Sequence, residues 1–279
     1  MKSRLITAFV GILLVVGWLF AIYTPVFSGV IAVIAFIGVW EMLKVFNVKN
    51  IPFRVLCLAL SVGIILFADY GEKLNIPLFP VATVAIIASL IIMVLNFEKL
   101  KFEQVVSSLF SAFAIPASLS CILFFRDMYI SAPEAYTKSD GIFLILFAFF
   151  GAWMTDSFAL ISGMLFGKHK LAPKISPKKT VEGAVGGIIC NIIASGILFL
   201  VFSKFYNLSA EISLIETLIT AAILSVISMF GDLAASTIKR HQGVKDFGNL
   251  LPGHGGIMDR FDSTLFVLPT LYSAVLLIL

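Results

Sequence analysis

From Ser236 to Asp262 the chain reads S-T-I-K-R-H-Q-G-V-K-D-F-G-N-L-L-P-G-H-G-G-I-M-D-R-F-D. Carboxylates at Asp246, Asp259 and Asp262, with Asp232 just upstream, are interleaved with the cations Lys239, Arg240, Lys245 and Arg260. In an otherwise oily chain such a density of charge needs water, metal or phosphate, because an unpaired charge in an apolar medium is costly or neutralises itself. A purely basic loop would suggest anionic lipid headgroups. Interleaved signs suggest a bound metal together with phosphates, the pairing that phosphoryl and nucleotidyl transfer require.

The spacings refine this. Asp232, Ser236 and one of Lys239 or Arg240 recur at intervals of three and four and share one face of a helix. The helix is expected to end at Gly243. Gly248, Pro252, Gly253, Gly255 and Gly256 then make a tight loop whose backbone can approach a phosphate closely. On a helical turn, Asp259 and Asp262 would face one ion. Oxygen-only ligands favour Mg2+, with a second, monovalent ion left open; no Cys/His cluster suits zinc. His254 is a candidate for metal or phosphate contact, although a lone histidine more often serves neither.

These residues must be positioned by helices in a membrane. The 279 residues are 60% hydrophobic and 13% charged, with a mean hydropathy of +1.06; a soluble domain carries about twice that charge. The apolar runs are near 20 residues long and lack the alternation of barrel strands. The fold class is therefore all-α, a polytopic membrane protein of about nine transmembrane helices. They are expected near 5–23, 27–46, 52–69, 77–96, 104–125, 141–166, 181–203, 212–238 and 263–279, the third being short. The run after Lys2 and Arg4 continues to Tyr23 without a cleavage site and reads as a retained span. With the N-terminus cytoplasmic, all 20 Lys and Arg residues except Lys73, Arg126, Lys138 and Lys204 fall on inner segments, as the positive-inside rule requires. Cys57, Cys121 and Cys190 lie at unrelated spacings in apolar runs and read as small buried residues.

Residues 1–130 read as a scaffold, with Pro80 and Pro116 expected to bend their helices. Glu41, beside Trp40, is expected to be structural or interfacial rather than catalytic. Residues 131–279 read as the catalytic region, with cytoplasmic loops 167–180 and 239–262. Asp156 is an acid inside an apolar helix, and intramembrane acids usually face a wet cavity. Gly163-x-x-x-Gly167 and Gly183-x-x-x-Gly187 signal close helix packing. Between them, Ser176-Pro-Lys178-Lys179-Thr180 abuts a helix start, where lysines, hydroxyls and terminal amides would converge on an anion. Glu182 is a candidate for the reciprocal side chain of a helix cap.

At these residues the sequence resembles the phosphatidate cytidylyltransferases, or CDP-diacylglycerol synthases. Their signature, S-x-aliphatic-K-R-x4-K-D-x-small-x2-L-P-x-H-G-G-x2-D-R-x-D, is met by Ser236, Lys239, Arg240, Lys245, Asp246, Gly248, Pro252, His254, Gly255, Gly256, Asp259, Arg260 and Asp262. The stretch from Phe166 to Gly183 and the Asp156 region are similar to the family as well. The resemblance implies a Mg2+-dependent enzyme of the cell membrane that converts CTP and phosphatidic acid to CDP-diacylglycerol and pyrophosphate. It implies metal ligation by Asp232, Asp246 and Asp259, with Asp156 and Asp262 as further ligands or as supports behind them. Phosphate handling falls to Lys239, Arg240, Lys245 and Arg260, and substrate contact to Ser176, Lys178, Lys179, Ser236, His254, Gly255 and Gly256. Lipid arriving from the bilayer and CTP from the cytoplasm imply a site open to both, in a water-filled funnel between spans six, seven and eight. No nucleic-acid partner is expected, and a homodimer is left open. Two other readings are weighed against this one: a CTP-dependent polyprenol or phytol kinase, and a lipid or ion transporter, which the absence of an internal repeat disfavours.

Overall fold

The computed structural model describes residues 17–74, 78–209, 211–251, 253 and 255–278. Its elements are α1 (Pro25–Val45), α2 (Ile51–Leu74), α3 (Leu78–Leu95), α4 (Phe102–Ser131), α5 (Lys138–Phe166), β1 (Lys170–Ala172), β2 (Ser176–Thr180), α6 (Val181–Phe205), α7 (Leu214–His241), α8 (Met258–Phe261) and α9 (Thr264–Ile278). Among the described residues, six helices are long and apolar enough to cross a membrane: α1, α2, α4, α5, α6 and α7. Two shorter apolar helices lie at Pro80–Leu95 and Thr264–Leu277. Each expected span from the second onward coincides with a helix, so the all-α, polytopic reading holds. The first expected span falls largely outside the described residues.

The chain divides into two compact units. One comprises the residues up to Leu123 together with Gln242–Arg260; the other comprises Phe124–His241 and Phe261–Leu279.

In the first unit, Gln104, near the start of α4, donates its side-chain amide to the carbonyls of Phe46 and Asn47, both at 3.0 Å. These carbonyls follow the end of α1, where a helix leaves acceptors unsatisfied. Asn47 takes a left-handed conformation, φ 53°, which an asparagine tolerates as a helix ends. Asn50 then caps α2 by accepting the Phe53 N–H at 3.0 Å.

In the second unit, Thr137 caps α5 through a capping box with Asp140, and Asp140 also accepts the Ser209 N–H at 2.9 Å. Small residues bring α5 and α6 together, as the two glycine motifs suggested. A Cβ on Gly183 would lie 2.6 Å from the Ala159 carbonyl oxygen, and one on Gly187 would lie 2.8 Å from that of Thr155. Without a hydrophobic effect between helices in lipid, this backbone approach and interhelical hydrogen bonds do the joining.

The cytoplasmic loop 167–180 contains an antiparallel hairpin pairing Lys170 with Thr180 and Ala172 with Ser176. Strands of three and five residues, one of them holding Pro177, are too short to show an alternation in sequence.

Candidate active site

The second unit gathers Asp156 from α5, Asp232 and Lys239 from α7, and Asp262 from the turn after α8. Gly231 permits this. A Cβ there would lie 3.0 Å from the Asp262 carbonyl oxygen and 3.1 Å from Ser263 Cα, so the glycine lets α7 approach that turn. Ser263 joins two of the acids: its N–H donates to Asp262 Oδ1 at 2.8 Å and its hydroxyl to Asp156 Oδ2 at 2.9 Å. Asp232 is ion-paired with Lys179 of β2, and both side chains are 24% exposed. The Asp262 side is drier, the residue being 9% exposed. Burial above all, and then the neighbouring Asp232 carboxylate, push its carboxyl up to about 7; the Ser263 N–H and the Lys239 ammonium act in the opposite direction.

The folded chain therefore keeps a proton on Asp262 between the ordinary value of 3.8 and about 7, where the unfolded chain has released it. The stability this group contributes is full below that window. It declines as pH rises through the window and levels off above it. With chelator present, the thermal transition of detergent-solubilised protein should fall from about pH 5 to about pH 7.5, and Asp262→Asn should flatten that fall. An unchanged slope in the variant would contradict the assignment.

The loop before α6 only partly follows expectation. Thr180 caps the helix by accepting the Gly183 N–H at 3.1 Å. Glu182 is not the reciprocal cap. It accepts the N–H groups of Lys168 and His169 at 3.0 and 3.2 Å and contacts His169 Nδ1 at 2.6 Å, tying the hairpin back onto α6. Lys178 is exposed while Lys179 turns to Asp232, so the two lysines do not converge on one spot. Arg240 donates to the Ile175 carbonyl at 3.3 Å and parts from Lys239, whose charge bears on Asp262. Lys239 is thus the cation that shares a face with Asp232 and Ser236.

The expected funnel between α5, α6 and α7 is closed at the level of Thr155. There the Thr155 hydroxyl donates to Ser225 Oγ at 3.1 Å, and Asn191 Nδ2 donates to the same oxygen at 2.8 Å and to the Ala221 carbonyl at 3.2 Å. All three side chains are fully buried. Polar side chains deep among apolar helices satisfy one another when no water can.

In the first unit, α7 having ended, the chain turns at Gly243, φ 65°. Phe247 is buried, 3% exposed, and its inward side chain leaves Lys245 and Asp246 exposed beside it. The Leu251 N–H donates to the Gly255 carbonyl at 2.9 Å, closing a tight turn in which Gly253 and Gly255 take φ of 78° and 81°. Pro252 and His254 lie outside the described residues. Asp259 Oδ2 accepts the N–H groups of Phe247 at 2.8 Å and Gly256 at 3.0 Å. The Gly256 amide, read as a phosphate contact, is therefore already engaged. The helical turn expected to aim Asp259 and Asp262 together stops at Phe261, and each acid has its own backbone partner. Arg260 is exposed.

Glu41 is the residue whose partners the sequence does not reveal. It is 1% exposed and accepts the N–H groups of Ile257 at 3.1 Å and Met258 at 2.8 Å. Its role is structural, as expected, but its partners are the signature loop itself. An acid within an apolar run was the available signal.

Among the described residues no three Asp, Glu, His or Cys side chains form a group able to hold a metal ion. The donor set still fits Mg2+. That ion keeps several waters and is commonly held by one or two carboxylates plus substrate phosphates, without an all-protein cage. Asp232 and Asp262, whose charges bear on each other, are two carboxylates of the kind such an ion would use.

A model of the "Cytidylyltransferase family" matches residues 2–278. A phosphatidate cytidylyltransferase of Staphylococcus saprophyticus is 38% identical over 279 residues, covering 97% of both chains. One from Staphylococcus aureus is 35% identical over 273 residues, again with 97% coverage of each. One from Staphylococcus haemolyticus is 52% identical over 135 residues, 48% of this chain and 50% of the relative. A family match running nearly end to end and relatives matched over 97% of their length lead to one conclusion: the chain belongs to the cytidylyltransferase family.

Proposed function

We infer that the chain is a phosphatidate cytidylyltransferase, joining CMP from CTP to phosphatidic acid to give CDP-diacylglycerol and pyrophosphate. Family membership and the names of its full-length relatives support this activity. The observation that carries the site is the grouping of Asp156, Asp232 and Asp262 about Ser263 and Lys239. The helices make the chain a multi-pass membrane protein, and the bacterial relatives point to the cell membrane. The charge distribution favours a site facing the cytoplasm, where nucleotides are.

In the reaction, an oxygen of the lipid phosphate attacks the α-phosphorus of CTP in line. A new P–O bond forms there while the bond to the β-phosphate oxygen breaks, and pyrophosphate carries the electrons away. No protein nucleophile is needed, so the residues hold and neutralise two anions. Asp232 and Asp262, with Asp156 behind Ser263, would hold Mg2+, which when bound neutralises phosphate charge and polarises the P–O bonds. Asp246 and Asp259 are further candidate ligands. Lys239, Arg240, Lys245 and Arg260 stabilise the leaving pyrophosphate. Ser176, Lys178, Lys179, Ser236, His254 and Gly255 contact nucleotide or lipid phosphate. The Lys179–Asp232 pair would open when phosphate offers the lysine a second acceptor.

Purified protein given phosphatidic acid, Mg2+ and CTP labelled at either the α- or the γ-phosphate tests this directly. The α-label should enter the lipid and the γ-label should leave in pyrophosphate, and chelator should stop both. A γ-label in the lipid would instead mark a kinase, and substrate movement across vesicles without CTP consumption a transporter.

A further inference from the structure

Two carboxylates grip one short piece of the signature loop. Asp259 Oδ2 takes the Gly256 N–H at 3.0 Å, and Glu41 takes the next two amides, Ile257 at Oε1 and Met258 at Oε2. Glu41 comes from α1, 216 positions before Ile257. The same carboxylate explains two glycines. Gly248 and Gly256 have no positive φ, unlike Gly243, Gly253 and Gly255, so backbone conformation does not demand glycine there. Space does, since a Cβ built on either residue collides with the Glu41 carboxylate. The "small" position of the signature, Gly248, is thus a packing requirement set by a distant acid.

We propose that Glu41 is a positioning residue for nucleotidyl transfer. Its carboxylate fixes the backbone of residues 256–258, packs against Gly248, and so sets where Asp246, Asp259 and Arg260 stand. It acts through the loop and touches no substrate. The inference rests on the reading that this loop handles the substrates. A buried acid bonded by two amides is held far more firmly than a surface one, and misplacing a catalytic group by about 1 Å can cost about a hundredfold in rate.

The test uses the full-length enzyme in detergent or nanodiscs, assayed with CTP, phosphatidic acid and Mg2+. Glu41→Gln keeps the shape but turns an NH2 toward one of the two amides. It should lower kcat by about tenfold or more while KM for either substrate moves less than about threefold, and the amides of 256–258 should exchange faster. Glu41→Asp, which keeps the charge on a shorter stem, should recover part of kcat. Gly248→Ala presses on the same carboxylate from the loop side, so it keeps the test open should Glu41→Gln fail to accumulate. It should lower kcat alone, and combined with Glu41→Gln it should cost less than the product of the two effects. Parental kcat in Glu41→Gln and Gly248→Ala, lost activity with unchanged exchange at 256–258, or strictly multiplicative effects would each overturn the proposal. Asp246→Asn separates the two levels. If it is fully active, the loop has no part in the reaction and the functional reading of the loop falls. If it is inactive while Glu41→Gln is fully active, that reading stands and the role given to Glu41 is wrong.

Discussion

Asp232→Asn should reduce formation of CDP-diacylglycerol by about 10²–10³-fold, the scale seen when a group that stabilises transition-state charge is removed. Asparagine keeps the volume, so α7 and its approach at Gly231 should survive. The Lys179 ammonium loses its partner, but it is partly exposed and can be solvated. An ion pair of this kind contributes about 1 kcal/mol or less to stability. The thermal transition should therefore move by only a few degrees while turnover collapses. Removing this charge also removes one cause of the raised Asp262 carboxyl, so the pH dependence expected of that group should weaken in the same variant. Undiminished turnover in Asp232→Asn would sink the site assignment, whatever the signature suggests.

The second large effect separates two roles for one residue. Asp259 accepts two loop amides through a single oxygen, yet it is also a candidate ligand. The carbonyl oxygen of Asp259→Asn can still take both amides, whereas Asp259→Ala can take neither. The asparagine variant should lose about 10²-fold or more in turnover with the loop amides still protected from exchange. The alanine variant should lose both turnover and protection, because two amides are left without acceptors. Full activity in the asparagine variant would make Asp259 a staple of the loop and nothing more.

These contrasts show what sequence could and could not supply. Apolar runs near 20 residues were legible as helices because lipid demands that length and composition, and the glycine motifs were legible as close contacts between α5 and α6. The hairpin at 170–180 was not, since Pro173, Pro177 and its lysines obscure strands this short. Glu182 looked like a cap because it follows Thr180 closely, but nothing local revealed that the backbone of Lys168 and His169 would fold back to it. The acids of the site were readable as types. Their partners were not: Ser263 between Asp156 and Asp262, Lys179 on Asp232 and Glu41 under the loop are contacts between stretches tens to hundreds of residues apart. No periodicity encodes these pairings.

The first unit is completed only by residues 242–260, and this has a bearing on how the protein is made. Helices enter the membrane in order of synthesis, so α1 is in place long before the ribosome reaches Ile257. Until then the Glu41 side chain waits in an apolar helix without the amides that will receive it. A nascent chain stopped short of Ile257 would keep that unmet demand permanently, because the two amides that satisfy it belong to the last part of the first unit to be made.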